Sequence, residues 1–260
     1  MRSGERDIDG RTAGHGHGHA HGHEKEWRSG RGYLLLIVAL FALTCVALAP
    51  KVINGDGIGY LKGVDGDHLS PGHLAYLPLV RAIARVVEPG AATELVGPLR
   101  AVSLAAVLGA LLLFFCIGQR LFDPRRALLA TALLGASNAV LRAGSEVEVY
   151  GLALFLSLLA LYLLLRCRDS ADKGVYWAGL AGAAVACAAL FHLTLVLLYP
   201  SMVMLIVWWR RRGRRWHVLF LTLTFGLVLL IGLYLGARSA HVDTLAAAWK
   251  YYLGADHGIP

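Results

Sequence analysis

Charge is scarce in this chain. Asp, Glu, Lys and Arg make up 16% of 260 residues against 57% hydrophobic, and the mean hydropathy is +0.58. A soluble domain of this length carries more charge and less apolar material, so a soluble globular fold is excluded. Cysteine is scarcer still. Cys45, Cys116, Cys167 and Cys187 lie in or beside apolar blocks without metal-ligand spacing. That pattern offers no disulfide framework and suits thiols packed as small hydrophobes. A cleavable signal peptide is also lacking, because the first apolar run follows about 32 polar residues and has no small-residue cleavage site. The net charge of +8 does not gather on one face but falls between apolar blocks, so no nucleic-acid partner is expected.

What the chain does have is long, unbroken apolar runs, which amphipathic periodicity does not produce. The expected fold is all-α, a polytopic helical membrane protein. A span needs roughly 20 apolar residues, and residues 33–50, 98–118, 126–142, 149–165 and 216–236 qualify. The block 176–209 is too long for one: as a straight helix it would run about 51 Å, against roughly 30 Å of hydrocarbon. Two shorter spans meeting near residues 191–194, with Pro200 tolerated as a kink in the second, fit better. That makes about seven spans.

Basic residues set the expected orientation. With seven spans and a cytoplasmic N-terminus, the inside segments 1–32, 119–126, 166–175 and 210–215 hold 17 of the 25 Lys and Arg. Merging 176–209 into one span would put Arg210, Arg211, Arg212, Arg214 and Arg215 outside, against the positive-inside rule. The chain is therefore expected in the cell (inner) membrane, with the C-terminus extracytoplasmic. The loop 51–97 then lies outside. Within it, residues 74–87 carry Arg81 and Arg85 one helical turn apart among apolar residues, the pattern of an amphipathic helix in the membrane interface.

Residues 1–32 read as a disordered cytoplasmic tail. His15, His17, His19, His21 and His23 alternate with Gly and Ala. Such imidazoles bind divalent metal ions, but glycine spacing gives no preformed geometry, so any metal here is expected to be accessory. A cation transporter would need ligands within the spans, where His192 stands without a carboxylate or His one turn away.

Three acidic or polar clusters fall on the expected outer side. Asp56 sits in Asn54-Gly-Asp-Gly-Ile-Gly-Tyr60, with Asp65 and Asp67 beyond it. The second cluster is the stretch His68-Leu-Ser-Pro-Gly-His73, and the third is Glu146 with Glu148 just ahead of Tyr150. Each has a plainer role open to it, since Asp and Gly make turns and a carboxylate suits a helix N-terminus. An acidic residue close to a bilayer exit is nonetheless a functional candidate, because partial desolvation disfavours its charge.

The ordered set resembles the DUF2723 family of membrane proteins, relatives of protein O-mannosyltransferases and other GT-C glycosyltransferases. The likeness runs through Asp56 and Tyr60, then His68, Pro71, Gly72 and Tyr76, then Glu148-Val149-Tyr150-Gly151-Leu152, and last Gly179-Leu180 and His192-Leu193-Thr194, spanning roughly 33–250. The family stretch reads His-Pro-Pro-Gly, whereas here Leu69 and Ser70 stand between His68 and Pro71. The resemblance implies sugar transfer from a polyprenyl-phosphate donor to a hydroxyl on a protein, lipid or glycan outside the cytoplasm, with no cofactor required. In that chemistry Asp56 takes the acceptor proton as general base, its pKa raised by the interface. Tyr60, His68, Glu148 and Tyr150 would bind substrate. The leaving lipid phosphate calls for a guanidinium, with Arg142 favoured over Arg81 and Arg85. The alternatives are a non-catalytic membrane protein that keeps the fold, and a metal transporter with a His-rich tail. The module 33–260 is expected to continue beyond Pro260, since residues 246–253 read as the start of an extracytoplasmic helix.

Overall fold

The computed structural model describes residues 18–50, 55–64, 73–88, 90–170, 172–209 and 214–239, with backbone alone for 18–31, 55, 56, 92, 214 and 239. Among the described residues every regular element is helical. In chain order these are α1 (Gly18–Ala47), α2 (Gly55–Lys62), α3 (Tyr76–Val87), a 3₁₀ turn (Ala92–Leu95), α4 (Val96–Leu121), α5 (Pro124–Gly135) and α6 (Asn138–Ser145). They continue with α7 (Tyr150–Asp169), α8 (Gly174–Phe191), a second 3₁₀ turn (Leu193–Leu197), α9 (Leu198–Trp209) and α10 (Arg214–Ser239).

Four helices are long and apolar enough to cross a bilayer: 93–121, α7, α8 and 215–238. The pair α5 and α6 makes a fifth if its two arms, bent by 64°, form one span. Two apolar helices, 32–47 and 193–209, are shorter. Among the described residues the membrane-crossing count is thus four or five by length and composition, short of the seven expected.

The run 126–142 is not one straight helix. Asp123 caps α5, its carboxylate accepting from the backbone N–H of Arg125 and of Arg126 at 3.1 Å each, with Pro124 at the first helical position. Ser137 then caps α6, its hydroxyl accepting from the Val140 N–H. A second start signal inside an apolar run breaks it, and both arms pack on α4 and α1. The block 176–209 breaks at His192, whose backbone is extended between α8 and the second 3₁₀ turn, within the stretch 191–194 where the sequence divides it. Of the tail, residues 18–32 continue α1 as helix, and residues 1–17 lie outside the described residues.

Small residues bring the long helices together. α8 packs most extensively on α10 and α7, and Ala178, Ala181, Val185, Ala188 and Ala189 are fully buried. A Cβ on Gly182 would stand 2.3 Å from the Leu221 carbonyl oxygen of α10, so only glycine fits. Thr224 of α10 donates to the Gly179 carbonyl at 2.8 Å in the same seam. α7 packs in turn on α4, with Gly151 seated against the Ser103 and Ala143 carbonyls. Cys45 and Cys167 are buried as expected; Cys116 is exposed, a departure from the packed role.

One end of the bundle carries its own apolar core outside the long-helix seams. Tyr60 and Leu61 of α2, Tyr76, Leu77 and Val80 of α3, Leu95, Leu99, Val147 and Val149 pack together there. α3 matches the amphipathic helix expected over 74–87: Tyr76, Leu77 and Val80 face inward, and Arg81 donates back to the Gly63 carbonyl at 3.2 Å. It ends at Glu88, whose φ of 47° is left-handed.

Candidate functional site

That end gathers side chains from five elements. Tyr60, 6% exposed, meets Tyr76 edge-on at 4.4 Å between ring centroids and His73 at 6.0 Å. His73 meets His192 at 5.2 Å, and His192 meets Tyr150 at 5.3 Å. The result is a continuous row of rings, Tyr76–Tyr60–His73–His192–Tyr150. It crosses from α3 and α2, over the break after α8, to the first residue of α7.

Local hydrogen bonds fix the middle of the row. The Ala75 N–H donates to the Leu190 carbonyl at 3.0 Å, and His73 Nδ1 lies 2.9 Å from the Phe191 carbonyl. A carbonyl only accepts, so Nδ1 is the donor, and the tautomer this geometry selects has its lone pair on Nε2. The segment before α3 is thereby pinned to the unwound end of α8. His192 Nδ1 pairs with the Thr194 hydroxyl at 2.7 Å. Burial and the neighbouring His73 hold the His192 imidazole below its usual pKa, favouring the neutral ring.

Glu148 is buried behind the row at 7% exposure, and its backbone carbonyl accepts from the Ser103 hydroxyl at 3.3 Å. Burial first, and then the Glu148 charge, push the Tyr76 phenol well above its usual pKa.

A cleft lies on the other side of the first turns of α4. About 270 Å³ in volume, it is lined by Cys45 and Val46 of α1 and Ala49 just after it, Gly97, Arg100 and Leu104 of α4, and the end of α6. Its walls are almost wholly apolar. Arg100 donates to the Pro50 carbonyl, and its Nε is buried without a hydrogen-bond partner. Among the described residues Arg100 makes no ion pair, which leaves most of its five donors unused.

Of the residues picked out by the sequence, Tyr60, Glu148 and Tyr150 come together at this end. Arg142 is on α6 at the same end, but its guanidinium is 63% exposed and bound to Glu146 at 3.0 Å. Asp56 is the second residue of α2, one helical turn ahead of Tyr60; its side chain lies outside what is described, as do His68, Asp65 and Asp67 entirely. His15 and His17 lie outside the described residues, and His19, His21 and His23 fall on the α1 backbone. Among the described residues no three His, Cys, Asp or Glu side chains group as metal ligands. His73 and Arg100 are the additions. The sequence offers His73 only as the end of the His68–His73 stretch, and Arg100 only as a basic residue near the start of the run 98–118.

The model of the dolichyl-phosphate-mannose-protein mannosyltransferase family matches residues 93–238, more than half of the chain. The chain belongs to that family. As a dolichyl-phosphate-mannose-protein mannosyltransferase family member, the protein falls among membrane glycosyltransferases of the GT-C type, multi-pass proteins whose apolar helices agree with those found here. The matched stretch includes Arg100, Arg142, Glu148, Tyr150 and His192, while Asp56, Tyr60 and His73 precede it. No curated protein and no solved structure matches the chain.

Proposed function

We propose that the protein transfers a sugar from a polyprenyl-phosphate donor to an acceptor hydroxyl on the extracytoplasmic side, with Asp56 as general base. The carrying observation is a coincidence of place. The helices matched by the mannosyltransferase family model carry His192 and Tyr150 of the ring row, buried Glu148 and the Arg100 wall of the cleft. The ordered likeness to DUF2723 membrane proteins points the same way and is carried by Asp56, Glu148, Tyr150 and His192.

The parts divide by chemistry. A sugar moved outside the cytoplasm arrives on a lipid phosphate, so the donor combines an apolar chain, an anion and a polyol. The apolar cleft ending in Arg100 suits the first two, because a partly buried guanidinium beside apolar walls binds phosphate oxygens strongly. Arg142, expected for that task, is already engaged by Glu146 and so serves less well than Arg100. Asp56 stands one turn from Tyr60 on α2, and α2 follows the cleft directly in the chain. Tyr60, His68, Glu148 and Tyr150 are assigned to substrate. The acceptor is a protein, lipid or glycan hydroxyl. The N-terminus is cytoplasmic and the site end faces out, which sends the basic loops inward.

Asp56→Asn tests the base. It keeps size and most hydrogen bonding but removes the proton acceptor, so transfer by the full-length protein falls roughly 10²- to 10⁴-fold. Asp65→Asn and Asp67→Asn lose less, and Glu148→Gln falls between. An Asp56→Asn protein that transfers at the parental rate removes Asp56 from this role.

A further inference from the structure

We infer that the ring row is the sugar subsite of the donor: His73 Nε2 accepts a hydrogen bond from a sugar hydroxyl, and Tyr150 and His192 give their faces to the sugar ring. This rests on the proposed lipid-phosphate donor and adds the residues that read its sugar.

The row has what a polyol needs and lacks what an anion needs. His73, His192 and Tyr150 offer flat apolar faces with polar edges, and none of them is a fixed cation. Tyr150 is 45% exposed, so part of its ring is open to a ligand. The Phe191 carbonyl sets the tautomer of His73, which points its donor inward and leaves Nε2 as an acceptor. Among the described residues no group bonds Nε2. An acceptor held ready at the edge of an aromatic shelf matches a hydroxyl on a sugar.

Position links the two subsites. Leu99 packs in the same core as Tyr60, and Arg100, the next residue of α4, lines the cleft. Neighbouring residues on one helix turn thus serve the row on one side and the anion cleft on the other.

The test separates sugar from phosphate. The full-length protein in detergent is titrated with farnesyl phosphate and with farnesyl-phosphate-mannose, and binding of each is measured directly. The parental protein is expected to prefer the mannosyl lipid by roughly tenfold. His73→Asn keeps a donor for the Phe191 carbonyl but has no counterpart of Nε2; Tyr150→Leu removes the aromatic face. Both should erase most of the preference while binding farnesyl phosphate within about twofold of the parent. His73→Gln, which restores an acceptor near Nε2, should recover part of it. Two lipids bound equally by the parent, or a preference that survives both variants, would overturn the sugar subsite alone. Parallel loss of both lipids in His73→Asn and Tyr150→Leu would overturn it too, marking the row as structural. A parent that binds no farnesyl phosphate would overturn the lipid-phosphate donor itself, and this inference with it.

Discussion

The two ends of the helix bundle hold their ionisable groups in opposite ways. At the site end, Glu148 is 7% exposed and the Arg100 Nε is buried. At the other end, Arg120 and Arg168 share Asp169, and Arg120, Arg166 and Arg168 lie over the rings of Tyr162, Trp177 and Trp209 at 5.1 to 5.4 Å. Long side chains that snorkel onto interfacial aromatics beside water cost little and anchor helix ends. Burying a carboxylate, or part of a guanidinium, costs free energy that a solvated ion pair does not. Charge kept at such a cost is what the proposed sugar transfer would draw on at that end.

Arginine substitutions give the largest test of that contrast. Arg100→Leu should weaken use of a polyprenyl-phosphate donor roughly 10- to 100-fold, read as a rise in donor KM, because it removes a desolvated partner for phosphate. Arg142→Leu and, at the opposite end, Arg120→Leu should change it less than about threefold, since both guanidiniums already hold carboxylates. Equal effects from Arg100 and Arg120 would erase the functional difference between the ends.

The seam that joins the ends comes next. Gly182→Val drives side-chain atoms into the Leu221 carbonyl of α10 and should cost about 1–3 kcal/mol, measured as a lower melting temperature in detergent. Gly226→Ala, on α10 with open space around its Cβ position, should be nearly silent.

The smallest effects are in pH. His192 and Asp123 have depressed pKa values, so each contributes stability that is full above its unfolded pKa and lost as pH falls through the folded one. For His192, held down by burial and His73, the loss begins as pH drops below 6.5 and belongs to the site end. For Asp123, held down first by the Arg126 backbone N–H, it begins only below 3.8 and belongs to the basic end. Melting curves from pH 7.5 to 5 should therefore soften in the parent and less so in His192→Gln, while Asp123→Asn should follow the parent over that range. Identical curves for the parent and His192→Gln would remove the site end from the neutral-pH response.

Much of this architecture is legible in the chain. Apolar runs are enough to find α1, α4, α7, α8 and α10, because a long stretch without charge has little alternative to a helix. Excess length is enough to place a break near residues 191–194. The bend between α5 and α6 escapes the same logic: hydropathy runs straight through 126–142, while Ser137 starts a new helix by a hydrogen bond that a window average does not register. The site is legible in part. Tyr60, Glu148 and Tyr150 stand out beside unusual neighbours, but their meeting depends on α2, α3 and α7 converging. His73 and Arg100 carry no local mark. Their significance comes from a carbonyl 118 residues away and from a cleft between α1, α4 and α6, relations that no single stretch of sequence contains.

Donor choice tests the central claim most directly. Full-length protein in proteoliposomes, given an acceptor extract, is supplied in parallel with radiolabelled polyprenyl-phosphate-mannose and radiolabelled GDP-mannose. Label should pass to acceptor from the lipid-linked sugar and not from the nucleotide sugar. Transfer from GDP-mannose with the lipid donor inert would contradict the account.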